Sequence, residues 1–183
     1  MARPRTHTTE LRDRLLACAL EVVHQEGFGA LPLRDIAERA GTSTTAVYSL
    51  FGNKEGLQRA VLVAAFSDFA DAQDAMPASD RDVITEIAGL GAIYVQWATD
   101  HPRLYEVMFG EALAGITPTP ELQEARERAM ARIADAVRRA LASGAFRPAE
   151  EATVMTSLWA QVHGLASLII AGQLPPDADP GTA

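Results

Sequence analysis

From Thr42 to Asn53 the chain carries no charged side chain, and Lys54 closes the run. Within it Thr44, Thr45, Tyr48 and Ser49 fall at spacings that share one side of a helix, so a helix here presents three alcohols and a phenol to solvent. The wet face of a surface helix is ordinarily charged. A face without carboxylates suits approach to phosphates. Hydroxyls donate to phosphate oxygens, and they donate to or accept from base edges. Val47, Leu50 and Phe51 lie on the other side and turn inward.

A second short helix must precede this one. Leu33, Ile36, Ala37 and Ala40 share a side, Gly41 is suited to the left-handed turn that ends a helix, and Ser43 can cap the next by accepting a backbone N–H. Two short helices about a glycine turn fit a helix-turn-helix whose second helix enters the major groove. Taken alone they fit an ordinary helical corner with a polar face equally well.

Gly27–Phe28, the run Ile36-Ala-Glu-Arg-Ala-Gly41, and Val47-Tyr48-x-x-Phe51-x-x-Lys54-Glu55-x-Leu57 agree in one register with the DNA-binding head of the tetracycline-repressor (TetR) family. The resemblance covers about residues 10 to 62. It implies an all-α homodimer with a three-helix, homeodomain-like head. Such a dimer binds a double-stranded operator and releases it when a small molecule occupies the C-terminal helical bundle. It also implies that Ser43, Thr44, Thr45, Tyr48 and Ser49 belong to the recognition helix, that Lys54 meets a phosphate and that Arg34 reaches DNA. Two positions depart from the pattern. Pro32 stands where many members have a Ser or Thr, offering a fixed φ at a helix start but no hydroxyl. Leu50 replaces a frequent His.

The 183 residues fit one large or two small domains. Apolar residues make up 48% and charged residues 22%, enough for a core under a soluble surface. The net charge of −8 is unevenly placed. Residues 1–56 hold seven basic and seven acidic side chains, and residues 57–183 hold nine and seventeen. A neutral head on an acidic body is expected, with a DNA-binding domain over 1–56 and a ligand-binding, dimerising domain over 57–183. Cys18 is the only cysteine, so no internal disulfide or cysteine-based metal site is possible, and its apolar neighbours predict a buried, inert thiol. The N-terminus lacks the apolar segment of a secretory signal, which makes the cytoplasm the expected location.

Periodicity predicts the remaining helices. The first is capped by Thr8 or Thr9 and runs to about Glu26. Residues 1–8, with Arg3-Pro4-Arg5, are either a loose tail or a basic arm for DNA. A connecting helix over about 55–75 carries the seam Leu57, Val61, Ala65, Phe69. Ser79-x-x-Asp82 opens a fifth helix whose stripe is Val83, Ile87, Leu90, Tyr94 and Trp97, and His101-Pro102 breaks it. A short piece follows from Arg103 to about Ala114, then a helix from Pro120 to Ser143 with Thr119 as its cap. The last helix, from about Pro148 to Ala171, sits in a charge-free run from Ala152 to Pro176; residues 174–183 read as an unstructured tail. Its length raises a membrane span, but Gln161, His163 and three hydroxyls at mid-span are costly in lipid, and no basic cluster flanks it. The preferred reading is cover by its own body on one side and by a second copy on the other. Leu158, Ala160, Val162, Gly164, Leu165 and Leu168 are then the interface candidates, with Ala160 and Gly164 letting a helix come close. Trp159-x-x-x-His163-Gly164 resembles a signature of one TetR subgroup, as does His101-Pro102-x-Leu104-Tyr105-x-x-Met108-Phe109.

No H-E-x-x-H, phosphate loop or G-x-S-x-G occurs, and no catalytic pair stands out. No enzyme activity, metal or cofactor is expected. His163 is either an imidazole bonded to a neighbour or a polar anchor in a ligand pocket. Pocket candidates beside it are Phe66, Phe69, Tyr94 and Trp97, with Tyr105, Met108, Phe109 and Trp159, which imply a mostly apolar effector. The leading expectation is an effector-released repressor. The alternatives are an activator or pleiotropic regulator whose body grips a protein partner, and a small α-helical enzyme that kept the head as a relic.

Overall fold

The computed structural model describes residues 5–29, 31–77, 82–110 and 115–174. Among them are eight α-helices and no strand: α1 (Arg5–Glu26), α2 (Leu33–Arg39), α3 (Thr44–Phe51), α4 (Lys54–Asp74), α5 (Val83–Asp100), α6 (Pro102–Phe109), α7 (Pro120–Ser143) and α8 (Glu151–Ile170). The expected Ser79 cap, the segment before Arg5 and the tail beyond Leu174 lie outside the described residues. The chain packs as two compact units. One is Met1–Ala65 with Arg103–Glu124, and the other is Phe66–Pro102 with Ala125–Ala183. The boundaries between these units fall inside α4, α6 and α7.

In the first unit, α1 buries Leu15, Ala19, Val22 and Val23 completely, at the three- and four-residue spacing of one helical side. Ile36 and Ala37 of α2, Val47 and Phe51 of α3 and Leu57 and Val61 of α4 complete this core, with Phe28 and Leu31 from the connection. The end of α2 is a Schellman turn: Gly41 has φ +66°, Gly41 N–H donates to Glu38 O at 3.0 Å, and Thr42 N–H donates to Ala37 O at 2.8 Å. This satisfies carbonyls left open by the helix and aims the chain into α3. Tyr105, Val107 and Met108 of α6 are buried in the same unit.

Two expectations change here. α1 begins at Arg5, so Thr8 and Thr9 lie within it rather than at its start. Cys18 is half-buried rather than buried, because it sits beside the Leu15–Ala19–Val22 stripe and not on it. Pro32 takes the cap position of α2, with φ −76° and ψ 100° and, lacking a hydroxyl, no side-chain hydrogen bond.

In the second unit, the later turns of α4 pack with α5, the rest of α7 and α8. Ile87 and Leu90 of α5 meet Ala136, Val137 and Ala140 of α7, and Val154, Met155 and Leu158 of α8 pack on them. Arg132 of α7 donates to the Met76 carbonyl at 2.9 Å and to the Gln73 carbonyl, closing the C-terminal end of α4. α8 starts at Glu151, later than Pro148. It is the one helix among the described residues long and apolar enough to cross a membrane, yet within the chain it buries only Ala166 fully.

Candidate functional site

The head's outward surface follows from how α3 is held. Ser43 caps it, its Oγ accepting from Ala46 N–H at 3.4 Å, while Val47 and Phe51 anchor its inner side. Thr45, Tyr48 and Ser49 are exposed as a consequence, Tyr48 by 52%, and Thr44 is half-exposed. Thr45 and Ser49 line an open groove of mixed polarity with Thr8, Leu11, Ser43, Ala46 and Leu50. Arg34 of α2 is exposed and has no partner among the described residues. The other described cations of the helix-turn-helix region are mostly engaged. Arg12 lies over the Phe51 ring, 5.3 Å from its centroid, and Arg39 pairs with Glu26 at 3.7 Å. Lys54 is exposed, but its Nζ donates to Gly29 O at 3.1 Å.

Glu55, next to Lys54, is the carboxylate nearest in sequence to α3. It is occupied. The Thr117 hydroxyl and backbone N–H bond to it, the latter at 3.1 Å, and Arg59 adds an ion pair at 2.6 Å. Those contacts hold its carboxyl below the usual range.

Residues 15–61 match the family described as bacterial regulatory proteins, tetR family, and residues 87–183 match the tetracyclin repressor-like C-terminal domain. The chain belongs to the TetR family. It is therefore a helix-turn-helix transcriptional regulator of a non-catalytic, DNA-binding family. The HTH-type transcriptional regulator Rv1816 of Mycobacterium tuberculosis is 26% identical, covering 94% of this chain and 88% of its own length. The HTH-type transcriptional repressor ComR of Escherichia coli is 39% identical over 64 residues, 35% of this chain and 30% of its own. A solved structure of a protein of unknown function from Rhodococcus sp. RHA1 superposes with a TM-score of 0.81 at 27% identity, covering 94% of this chain and 88% of that one.

In this TetR-family chain the second unit holds an apolar cavity of about 60 Å³. Phe69, Tyr94 and Trp159 line it, as expected for pocket residues. Leu158 and Val162 line it too, although the sequence placed them on the partner-facing side. Phe66 and Trp97 are buried beside it, Trp97 with its indole N–H on Asp68 at 2.8 Å. Tyr105, Met108 and Phe109 belong to the first unit, where Tyr105 and Phe109 stack at 5.1 Å, and they do not line this cavity. Sequence reasoning missed Gln73, Met130, Ile133 and Met155. Gln73 was within reach. It continues the Leu57–Val61–Ala65–Phe69 seam by four residues, a polar side chain in an apolar register. It is 3% exposed, and its Nε2 donates to Ala129 O at 2.8 Å.

His163 does not line the cavity but reaches its wall through Tyr94. The Trp159 indole N–H donates to Tyr94 Oη at 3.2 Å, and Tyr94 Oη lies 3.0 Å from His163 Nδ1. An indole nitrogen can only donate. The phenol oxygen therefore accepts from Trp159, and donation of its own proton to Nδ1 would fit a neutral imidazole protonated on Nε2. Burial also pushes the His163 pKa down.

The two sides of α8 separate cleanly. Leu158, Val162 and Ala166, four apart, face the chain's own body: the first two line the cavity and the third is fully buried. Ala160 and Leu168 are exposed, with Gly164 half-exposed between them on the same four-residue spacing. Leu165 is half-buried.

Proposed function

We propose that this TetR-family regulator is an effector-released repressor: a homodimer on a palindromic operator, freed from DNA when a small, mostly apolar molecule enters the bundle cavity. The observation that carries the reading is the exposed, carboxylate-free face Thr45, Tyr48, Ser49 on the second helix of a family head. Thr44 and Ser43 flank that face, Lys54 and Arg34 supply phosphate contacts, and the functional division runs 1–56 for DNA and 57–183 for effector and dimer. The exposed side of α8 carries the dimer. Repression is supported by the similarity of the head to ComR, a transcriptional repressor, and the subgroup by Trp159-x-x-x-His163-Gly164. The cytoplasm is the compartment where such a dimer meets DNA.

A dimer would present its recognition helices about one DNA turn, ~34 Å, apart. α4 runs from Lys54 through Phe69 and Gln73 at the cavity wall, so a guest that displaces its later turns changes how the heads are held. Effector and operator must then weaken each other by the same factor. The cavity is far smaller than the ~300 Å³ of ordinary ligand sites. A guest must therefore displace exposed Trp159 or Met130, which line it.

The test uses the purified full chain and duplexes selected from a random-sequence pool. The logarithm of the binding constant should fall linearly with the logarithm of salt concentration. Thr45→Ala and Tyr48→Ala should each weaken it about fivefold or more while leaving helicity and self-association unchanged. Normal affinity in both variants refutes the assignment of α3.

A further inference from the structure

The exposed face of α3 contains no arginine, lysine, asparagine or glutamine. Those are the side chains that grip guanine or adenine with two parallel hydrogen bonds in the major groove. What α3 offers instead is short: the hydroxyls of Thr44, Thr45 and Ser49, the phenol of Tyr48, and the methyls of the two threonines and Ala46. A single hydroxyl can donate or accept, so it discriminates poorly among base edges. A methyl does not have that ambiguity. It packs against the one apolar mark in the major groove, the thymine 5-methyl.

Position selects among the methyls. Base contacts come from the N-terminal residues of a recognition helix. Ser43 there already spends its oxygen on the Ala46 N–H, and Ala46 and Thr44 are only half-exposed. Thr45 is exposed, stands one turn before Ser49 on the same face, and borders the open groove with it.

Resting on the DNA-binding reading above, we infer that this chain identifies its operator through thymine methyls, and that the Thr45 side-chain methyl is the principal reader. The half-site then carries a thymine opposite the start of α3. Its hydroxyl adds a hydrogen bond without setting the base. Losing one methyl–methyl contact removes the burial of about one CH₂-sized group, a three- to fivefold change in affinity.

The experiment uses a duplex selected from a random-sequence pool by the full chain. Each thymine of the half-site is replaced in turn by uracil, which deletes only the 5-methyl. The wild type should lose three- to fivefold at one position. Thr45→Ser, which keeps the hydroxyl and removes the methyl, should bind thymine and uracil duplexes alike. Thr45→Val, which keeps a methyl and removes the hydroxyl, should retain the preference. Thr45→Val conserves shape and Thr45→Ser deletes one methyl, both at an exposed site, and circular dichroism checks their helicity. Uracil replacement without effect at every position overturns the inference. Uracil sensitivity that survives in Thr45→Ser overturns the assignment to Thr45. Recovery of no specific duplex at all strikes the DNA-binding reading instead, so the two failures are distinguishable.

Discussion

Leu168→Glu tests the dimer most directly, and its size can be worked from the fold. Leu168 lies on the open side of α8 and is 42% exposed in the single chain. Burying a leucine fully is worth ~1.5–3 kcal/mol, so the fraction still open amounts to ~0.6–1.3 kcal/mol. A two-fold axis counts it twice, giving ~1.3–2.5 kcal/mol per dimer. At ~1.4 kcal/mol per decade, removal alone weakens self-association about eight- to sixtyfold. A carboxylate left in the same place adds a desolvation penalty and, near the axis, a like charge from the other copy. Sedimentation over a hundredfold concentration range should therefore show at least a tenfold larger dissociation constant. The fold should survive, since the residue is not part of the chain's own core. Glu124→Lys, on an exposed position of α7, is the control and should leave the constant unchanged. An unaltered dissociation constant for Leu168→Glu, or a wild type that is monomeric throughout, refutes the reasoning.

Ser43→Ala removes the cap of α3 and should lower urea stability by ~0.5–1 kcal/mol, at the low end because its hydrogen bond is long. Tyr94→Phe leaves the Trp159 N–H without its acceptor and His163 without its neighbour. Both groups are partly exposed, so the loss should be ~0.5–1.5 kcal/mol by urea unfolding, and no loss would show that these hydrogen bonds are not formed. His163 has its pKa lowered by burial from an ordinary value of 6.5, so the unfolded chain binds the proton more readily. Stability from this group is complete above about pH 6.5 and declines as pH falls toward the depressed folded value. His163→Gln should flatten the melting temperature across pH 5–7; an unchanged slope would assign it to other groups.

Much of the head was legible because its signals are local. Gly41 takes the left-handed conformation that a two-residue reading of Ala40–Gly41 demands, and Ser43 caps the helix it precedes. The buried stripe of α5, Ile87, Leu90, Tyr94 and Trp97, followed from three- and four-residue spacing alone. The start of α1 did not, because Arg5 to Thr9 continues as helix without a capping side chain to mark it. The pocket was only partly legible. An aromatic census could not separate Tyr105, Met108 and Phe109, which pack in the first unit, from Phe69 and Tyr94, which line the cavity. Apolar mass is the same signal in both places, and only tertiary packing assigns it.

The same difficulty, in sharper form, governs α8. A helix covered on one side by its own chain and on the other by a copy reads as apolar all round, so hydropathy cannot divide its residues. Two glycines divide them. Gly91 of α5 stands against Val162, where an added Cβ would come within 3.3 Å of Val162 Cγ1, and that approach fixes the inward side. Among the described residues a Cβ at Gly164 would meet nothing within 4 Å, so its missing side chain makes room for none of them. It lies between Ala160 and Leu168 on the side left open. A small–small–large seam with no occupant among the described residues is what close approach of a second helix requires. In the proposed dimer, Ala160, Gly164 and Leu168, rather than Leu158 and Val162, would be the residues on which association depends.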